Sequence, residues 1–178
     1  MYKYRITKYD PQYRDEQGIY SREDWTSYSD IGKTYNGKYF GKDDYINTEK
    51  LYCKTIMSIL LICGVKEVIV EDLESHFSVD EIKQMLQRKG LDLSNKEEMI
   101  ITSLCNGNKV HVDDLQLYLK LILRECFWCR FADADLLTQI EFGYDYYIYL
   151  NCRTIISDEF ISDCKREGIF IEKMCDQE

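Results

Sequence analysis

Hydrophobic spacing changes period several times along this chain, and the order of those changes limits the fold more than any short motif does. Residues 2–7, YKYRIT, alternate aromatic or aliphatic with basic side chains, the two-residue period of a strand. Residues 9–24 are polar and irregular. From Asp43 to Cys63 the period lengthens: Tyr45, Tyr52, Ile56, Ile59, Leu60 and Cys63 share one helical stripe, and Gly64 supplies the stop. EVIV, 67–70, reads as a short buried strand that runs into the acidic EDLES.

Helix starts are then written in local chemistry. Ser78 with Glu81 and Ser94 with Glu97 have the S-x-x-E spacing in which cap and third residue satisfy each other's free backbone donors, and Gly90 and Gly107 follow where those helices should end. Asp113 is the expected cap of a third helix bearing Leu115, Tyr118, Leu119, Ile122 and Leu123, with KVHV a short strand before it. Strands are expected at Cys126–Phe131 and through the aromatic, β-branched run Ile140–Leu150, where Gly143 marks a bulge, a bend or a close backbone approach. A helix from Ser157 to Glu167, stopped by Gly168, and a closing strand IFIEK complete the series. Strands and helices mixed without a βαβ period predict an α+β fold with a mixed or antiparallel sheet and four or five helices. Pro11 is the only proline and no linker interrupts the 178 residues, so residues 1–178 are expected to form a single domain.

Motifs that could carry chemistry are incomplete. Gly32-Lys33-Thr34 ends like a phosphate-binding loop, but Ser27 stands where the first glycine is needed, and YNGKYF after it reads as a hairpin turn rather than a helix. Cys126-x-x-Cys129 lacks a second ligand pair for zinc, and His76 and His111 are isolated. Asp133-Ala134-Asp135 opens like a calcium loop but continues with Leu136 and Leu137. The sequence therefore predicts no catalytic residue, no metal and no cofactor.

Charge is distributed unevenly. The first 42 residues carry eight basic and six acidic side chains, against 15 and 26 in the remainder, which places the whole acid excess behind residue 42. Such a field repels nucleic acid and favours basic partners, although net negative charge also serves solubility alone. The longest apolar run, IMSILLICGV, is about half of what a membrane span requires, and the eight cysteines are scattered through apolar periodic segments. A cytoplasmic protein with reduced thiols and no membrane contact is the expectation.

Two segments, YRITKYDPQYRDEQGIYSREDWTSYSDIGK (Tyr4–Lys33) and EFGYDYYIYL (Glu141–Leu150), resemble small bacterial immunity proteins of contact-dependent inhibition and related polymorphic toxin systems. Asp24–Gly32, the tryptophan-containing block, is the more specific of the two. The resemblance implies a protein that binds one cognate toxin, a nuclease in the expected case, and blocks its active or substrate-engaging surface without catalysis of its own. Within the shared block, Trp25, Tyr28, Asp30 and Gly32 are expected to serve architecture, with Trp25 anchoring the loop and Asp30 capping a turn. A small metal-dependent enzyme using a carboxylate cluster, or an acidic adaptor module, remain the other readings, and the oligomeric state is open.

Two sets of partner-facing residues are expected. Glu71, Asp72 and Glu74 follow EVIV, where three carboxylates at a sheet end would repel one another unless compensated. Tyr144, Asp145 and Tyr147 form the second set, Asp145 and Tyr147 sharing one face if the segment is a continuous strand. Solvated loop acids and core tyrosines are the plainer alternatives for the same positions.

Overall fold

A computed structural model describes residues 1–174. The chain opens with β1 (Tyr2–Thr7), whose alternation buries Tyr4 and Ile6. A polar stretch with two short 3-10 turns, Pro11–Tyr13 and Tyr28–Asp30, leads to the small hairpin β2 (Thr34–Tyr35) and β3 (Lys38–Tyr39). Asn36 and Gly37 turn it with φ of 48° and 77°, the paired left-handed geometry that an Asn-Gly step accepts most readily. This is the hairpin expected after Thr34, in the place where a phosphate loop would need a helix.

The long helix α1 (Lys42–Ile62) follows, its start secured by Asp44, which accepts a hydrogen bond from the Gly41 N–H at 3.0 Å. Then come β4 (Glu67–Glu74), α2 (Val79–Gln87) and α3 (Asn95–Ser103). Both expected capping boxes form, with the Ser78 and Ser94 N–H groups donating to Glu81 at 2.8 Å and to Glu97 at 2.6 Å. Next are β5 (Lys109–His111) and α4 (Val112–Leu123). Here the cap differs from the expectation: His111 Nδ1 accepts from the Asp113 N–H at 3.3 Å, and Asp113 sits inside the first turn. The final third comprises β6 (Trp128–Ala132), β7 (Thr138–Phe142), β8 (Ile148–Cys152), α5 (Asp158–Glu167) and β9 (Phe170–Met174).

Seven strands form one antiparallel sheet in the order β5-β4-β6-β7-β8-β1-β9. The N-terminal strand lies inside the sheet, held on one side by β8 and on the other by β9, so the pairing cannot be completed until the end of the chain has been supplied. Register lines up apolar residues on one face: Val70 opposite Phe131, Phe131 opposite Ile140, Ile140 opposite Leu150, Leu150 opposite Tyr4. Ile56 and Ile59 of α1 pack onto this row at Ile6, Ile140 and Leu150. The opposite face is polar, with Arg5 paired to Glu172 of β9 at 2.9 Å. An α+β fold with an antiparallel sheet and, among the described residues, five α-helices is what the sequence periods predict.

Two strand boundaries depart from the sequence reading, and both bear on the candidate site. β4 does not end at Val70 but continues through Glu74, because Arg130 of β6 lies across the ladder from Glu71 and draws in both Glu71, at 3.0 Å, and Asp72, at 3.2 Å. A bulge at Asp72, φ 52°, absorbs the extra residue. Residues 140–150 are not one strand but the hairpin of β7 and β8 with a tight turn at 143–147. Asp145 and Tyr146 hold φ of 55° and 62° there, so Asp145 and Tyr147 do not share a strand face.

Seven cysteines lie among the described residues, none in a disulfide, while Cys175 lies outside them. Cys126 precedes β6 and Cys129 is within it; both are buried, and burial pushes each thiol up to about 12. No helix among the described residues is long and apolar enough to cross a membrane.

Candidate interaction cleft

Four chain segments that are far apart in sequence meet at one end of the sheet and enclose a cleft of about 410 Å³. The junction of α4 and β6 forms its floor. There the chain reverses within three residues: the Glu125 N–H donates to Ile122 O at 2.8 Å and the Cys126 N–H to Leu121 O at 3.0 Å, which requires Glu125 to take φ 57°. That conformation costs a non-glycine residue free energy, of order 1 kcal/mol or more. It turns the Glu125 side chain toward the cleft while Cys126 and Phe127 stay buried beneath it.

The β7–β8 turn forms one wall. The Gly143 N–H donates to Tyr147 O at 2.7 Å and the Tyr147 N–H to Tyr144 O at 3.1 Å. A β-carbon at Gly143 would stand 2.9 Å from Tyr149 Cε2 and 3.3 Å from Tyr147 O, so the close approach that its glycine suggested is real. Gly143→Ala is accordingly expected to destabilise the fold by ~1–3 kcal/mol; urea denaturation measures it, and an unchanged midpoint would mean that the turn can widen.

Tyr146 locks this turn to the floor. Its ring is buried, edge-on to Trp25 at 5.0 Å, and its hydroxyl donates to Leu123 O at 2.6 Å. Tyr144, by contrast, is 93 % exposed at the lip. Opposite stand Glu74, His76 and Phe77 at the end of β4, with Trp128 below, its indole N–H donating to the Phe142 carbonyl. Thr26 and Ser27 from the N-terminal stretch close the remaining side.

Apart from Thr26 and Ser27, the tryptophan block stands behind this wall rather than in it. Trp25 stacks on Phe40 at 4.4 Å, Tyr28 is buried, and Asp30 accepts from the Thr26 N–H at 2.8 Å and from Lys33 Nζ at 2.6 Å. Gly32 provides φ 98° where its N–H reaches Phe40 O. Lys8 is sandwiched in the same cluster, 4.0 Å from the Tyr9 ring centre and 4.1 Å from that of Trp25, and paired with Asp24 at 2.8 Å. Burial pulls its pKa down to about 8 against the pull of Asp24.

Electrostatically the rim is one-sided. Glu74, Glu125 and Asp145 are its charged residues, and among the described residues no lysine or arginine lines the cleft. Partial desolvation of its carboxyl raises the pKa of Glu125 although the residue as a whole is exposed; a Ser27 hydrogen bond works against that, while Asp30 and Asp145 add to it. Among the described residues neither Glu125 nor Asp145 has a salt-bridge partner; Lys8 feels Asp145 through space, but its ammonium is engaged by Asp24. Glu74 has, among the described residues, His76 at 3.8 Å.

No protein-family model, curated protein or solved structure matches this chain. The cleft is therefore interpreted from its own geometry. Of the residues expected to face a partner, the fold brings Glu74, Tyr144 and Asp145 together in its lining; Tyr147 borders it, but its ring lies 5.4 Å from that of Tyr9 and beneath Arg5 and Arg14, and Glu71 and Asp72 lie outside it, compensated by Arg130. Glu125, Phe77 and Trp128 were not anticipated. Nothing in the sequence marks Glu125, since its role comes from a reversal that only the packing of α4 against the sheet dictates. Among the described residues no group of three or more His, Cys, Asp or Glu side chains is placed to hold a metal ion.

Proposed function

We propose that this protein is an immunity-type inhibitor that binds a basic toxin domain in the cytoplasm and covers the surface with which that toxin engages its substrate. The observation that carries the proposal is the pairing, in one cleft, of an apolar aromatic floor with three rim carboxylates and no lining cation. A nuclease must present positive charge to a polyanion, so a carboxylate rim competes for the same surface that the nucleic acid would occupy. Long-range attraction speeds encounter, and desolvated aromatic contacts such as Tyr144 would then hold the complex. The acidic field of the chain as a whole disfavours direct binding to nucleic acid. An enzymatic reading based on carboxylates and a metal draws less support, because among the described residues no three potential metal ligands assemble and Glu71 and Asp72 are paired with Arg130. An adaptor would use the same cleft for a different basic protein.

Co-purification with the product of an adjacent toxin gene, followed by growth rescue, tests the proposal. Reversing two rim charges, Glu125→Lys with Asp145→Lys, is expected to slow association and weaken binding by ~2 kcal/mol or more while circular dichroism stays unchanged. Rescue that is indifferent to both substitutions would move the interface elsewhere, and failure to rescue against an adjacent toxin would reject the inhibitor reading.

A further inference from the structure

The geometry points to a specific occupant for the cleft: an arginine side chain of the partner, its guanidinium between Glu125 and Asp145 and its stem on the apolar floor. This rests on the cleft being the binding surface and specifies what enters it. Size is the first argument. About 410 Å³ lies at the small end of ligand pockets, room for one long side chain and part of a neighbour but not for a helix or a strand.

Charge is the second. Glu125 and Asp145 both line this cleft, and among the described residues neither has an ion-pair partner. Two carboxylates on the rim of one cleft with a hydrophobic floor gain most from a cation that carries its own apolar stem. Arginine fits better than lysine because a guanidinium sheds water more easily, can bridge two carboxylates, and stacks on aromatic faces such as those of Tyr144 and Phe77. The rigidity of the two acids is the third. Both project from backbone held at positive φ, Glu125 by the reversal under it and Asp145 by a turn that Tyr146 pins to Leu123 O. A partner therefore meets two carboxylates whose backbone is already fixed, which lowers the entropy cost of binding.

Blocked dipeptides test this without any toxin. Acetyl-leucyl-arginine amide, titrated into the isotopically labelled full chain, is expected to shift the amide signals of Glu125 and of residues 143–147, saturating on the order of a millimolar. The citrulline analogue keeps the shape and loses the charge, and should bind about ten-fold more weakly, as should the arginine peptide to Glu125→Gln or to Asp145→Asn. Added salt should weaken the arginine peptide alone. Equal affinity for the citrulline peptide, shifts centred outside the cleft, or indifference to both substitutions would overturn the assignment. Growth rescue that persists alongside such a result would leave the inhibitor reading in place and remove only the arginine. Arginine-selective binding without rescue would do the reverse.

Discussion

Arg124→Met is expected to lower the stability of the folded protein by ~3–5 kcal/mol, the usual cost of leaving one member of a buried ion pair without its counter-charge. Arg124 and Glu49 are both about 5 % exposed, and the guanidinium meets the carboxylate with two hydrogen bonds, Nε to Oε2 at 2.7 Å and Nη2 to Oε1 at 2.9 Å. The remaining Nη1 donates to Asp92 O at 3.1 Å, so one side chain ties α1, the end of α4 and the loop between α2 and α3. Burial tends to pull the Arg124 pKa down, but the bonds and charge of Glu49 outweigh it, and the net direction is upward. Methionine fills similar volume, which isolates the charge from the packing. The double variant Glu49→Leu with Arg124→Met should recover most of the loss, because the pair spends much of its attraction on desolvation. Urea denaturation of the four proteins in the cycle decides the matter. A single variant within ~1 kcal/mol of the parent would mean that water reaches Glu49; a double variant as unstable as the single would mean that the Asp92 bond, not the ion pair, is what counts.

What could be read from the sequence was whatever is settled within a few residues. The caps at Ser78 and Ser94, the stop at Gly168 and the Asn36-Gly37 turn all follow from short-range backbone chemistry, and each appears in the structure. The alternation in residues 2–7 located a strand but not its place between β8 and β9, which depends on partners about 150 residues away. Two errors share a cause. Carboxylates after Val70 look like the end of a strand until Arg130 is known to face them. The aromatic run at 140–150 looks continuous because its turn has no Asn-Gly or Asp-Gly step, and the left-handed Asp145 and Tyr146 are held there by the burial of the Tyr146 ring and its bond to Leu123 O. The cleft draws on segments near 26, 75, 125 and 145, and only the completed sheet brings them together.

Raising the pH is expected to unfold the protein abruptly, about two units above the ordinary thiol pKa, and the sign follows from the buried thiols and phenols. Burial pushes Cys53, Cys126 and Cys129 each up to about 12, from 9.0 in the unfolded chain. A group whose folded pKa is raised gives stability that is whole below the unfolded value and is lost as pH climbs toward the folded one. Each thiol therefore withdraws ~1.4 kcal/mol per pH unit above about 9, and three of them withdraw ~4 kcal/mol per unit. Phenols join above the ordinary tyrosine value of 10.0. Tyr45 and Tyr146 are raised well above it by burial, and each donates its proton to Leu123 O, so ionisation would set a phenolate against a carbonyl oxygen. Tyr9 is also raised by burial, its proton held by Trp25 O at 3.0 Å. Lys8 works the other way: its folded pKa of about 8 lies below the unfolded 10.5, so it adds ~1.4 kcal/mol per unit across that interval and then stops. One lysine cannot offset three thiols and three phenols, and against a typical total of ~5–15 kcal/mol the balance fails near pH 11. Once the exposed tyrosines have ionised, the remaining rise in tyrosinate absorbance and the loss of far-ultraviolet circular dichroism should come together in one late step, because the buried phenols ionise only when the core opens. Smooth ionisation of all the tyrosines with the ellipticity intact would mean that the cluster around Trp25 and Tyr146 is open to solvent, and with it the wall that fixes Asp145 at the cleft.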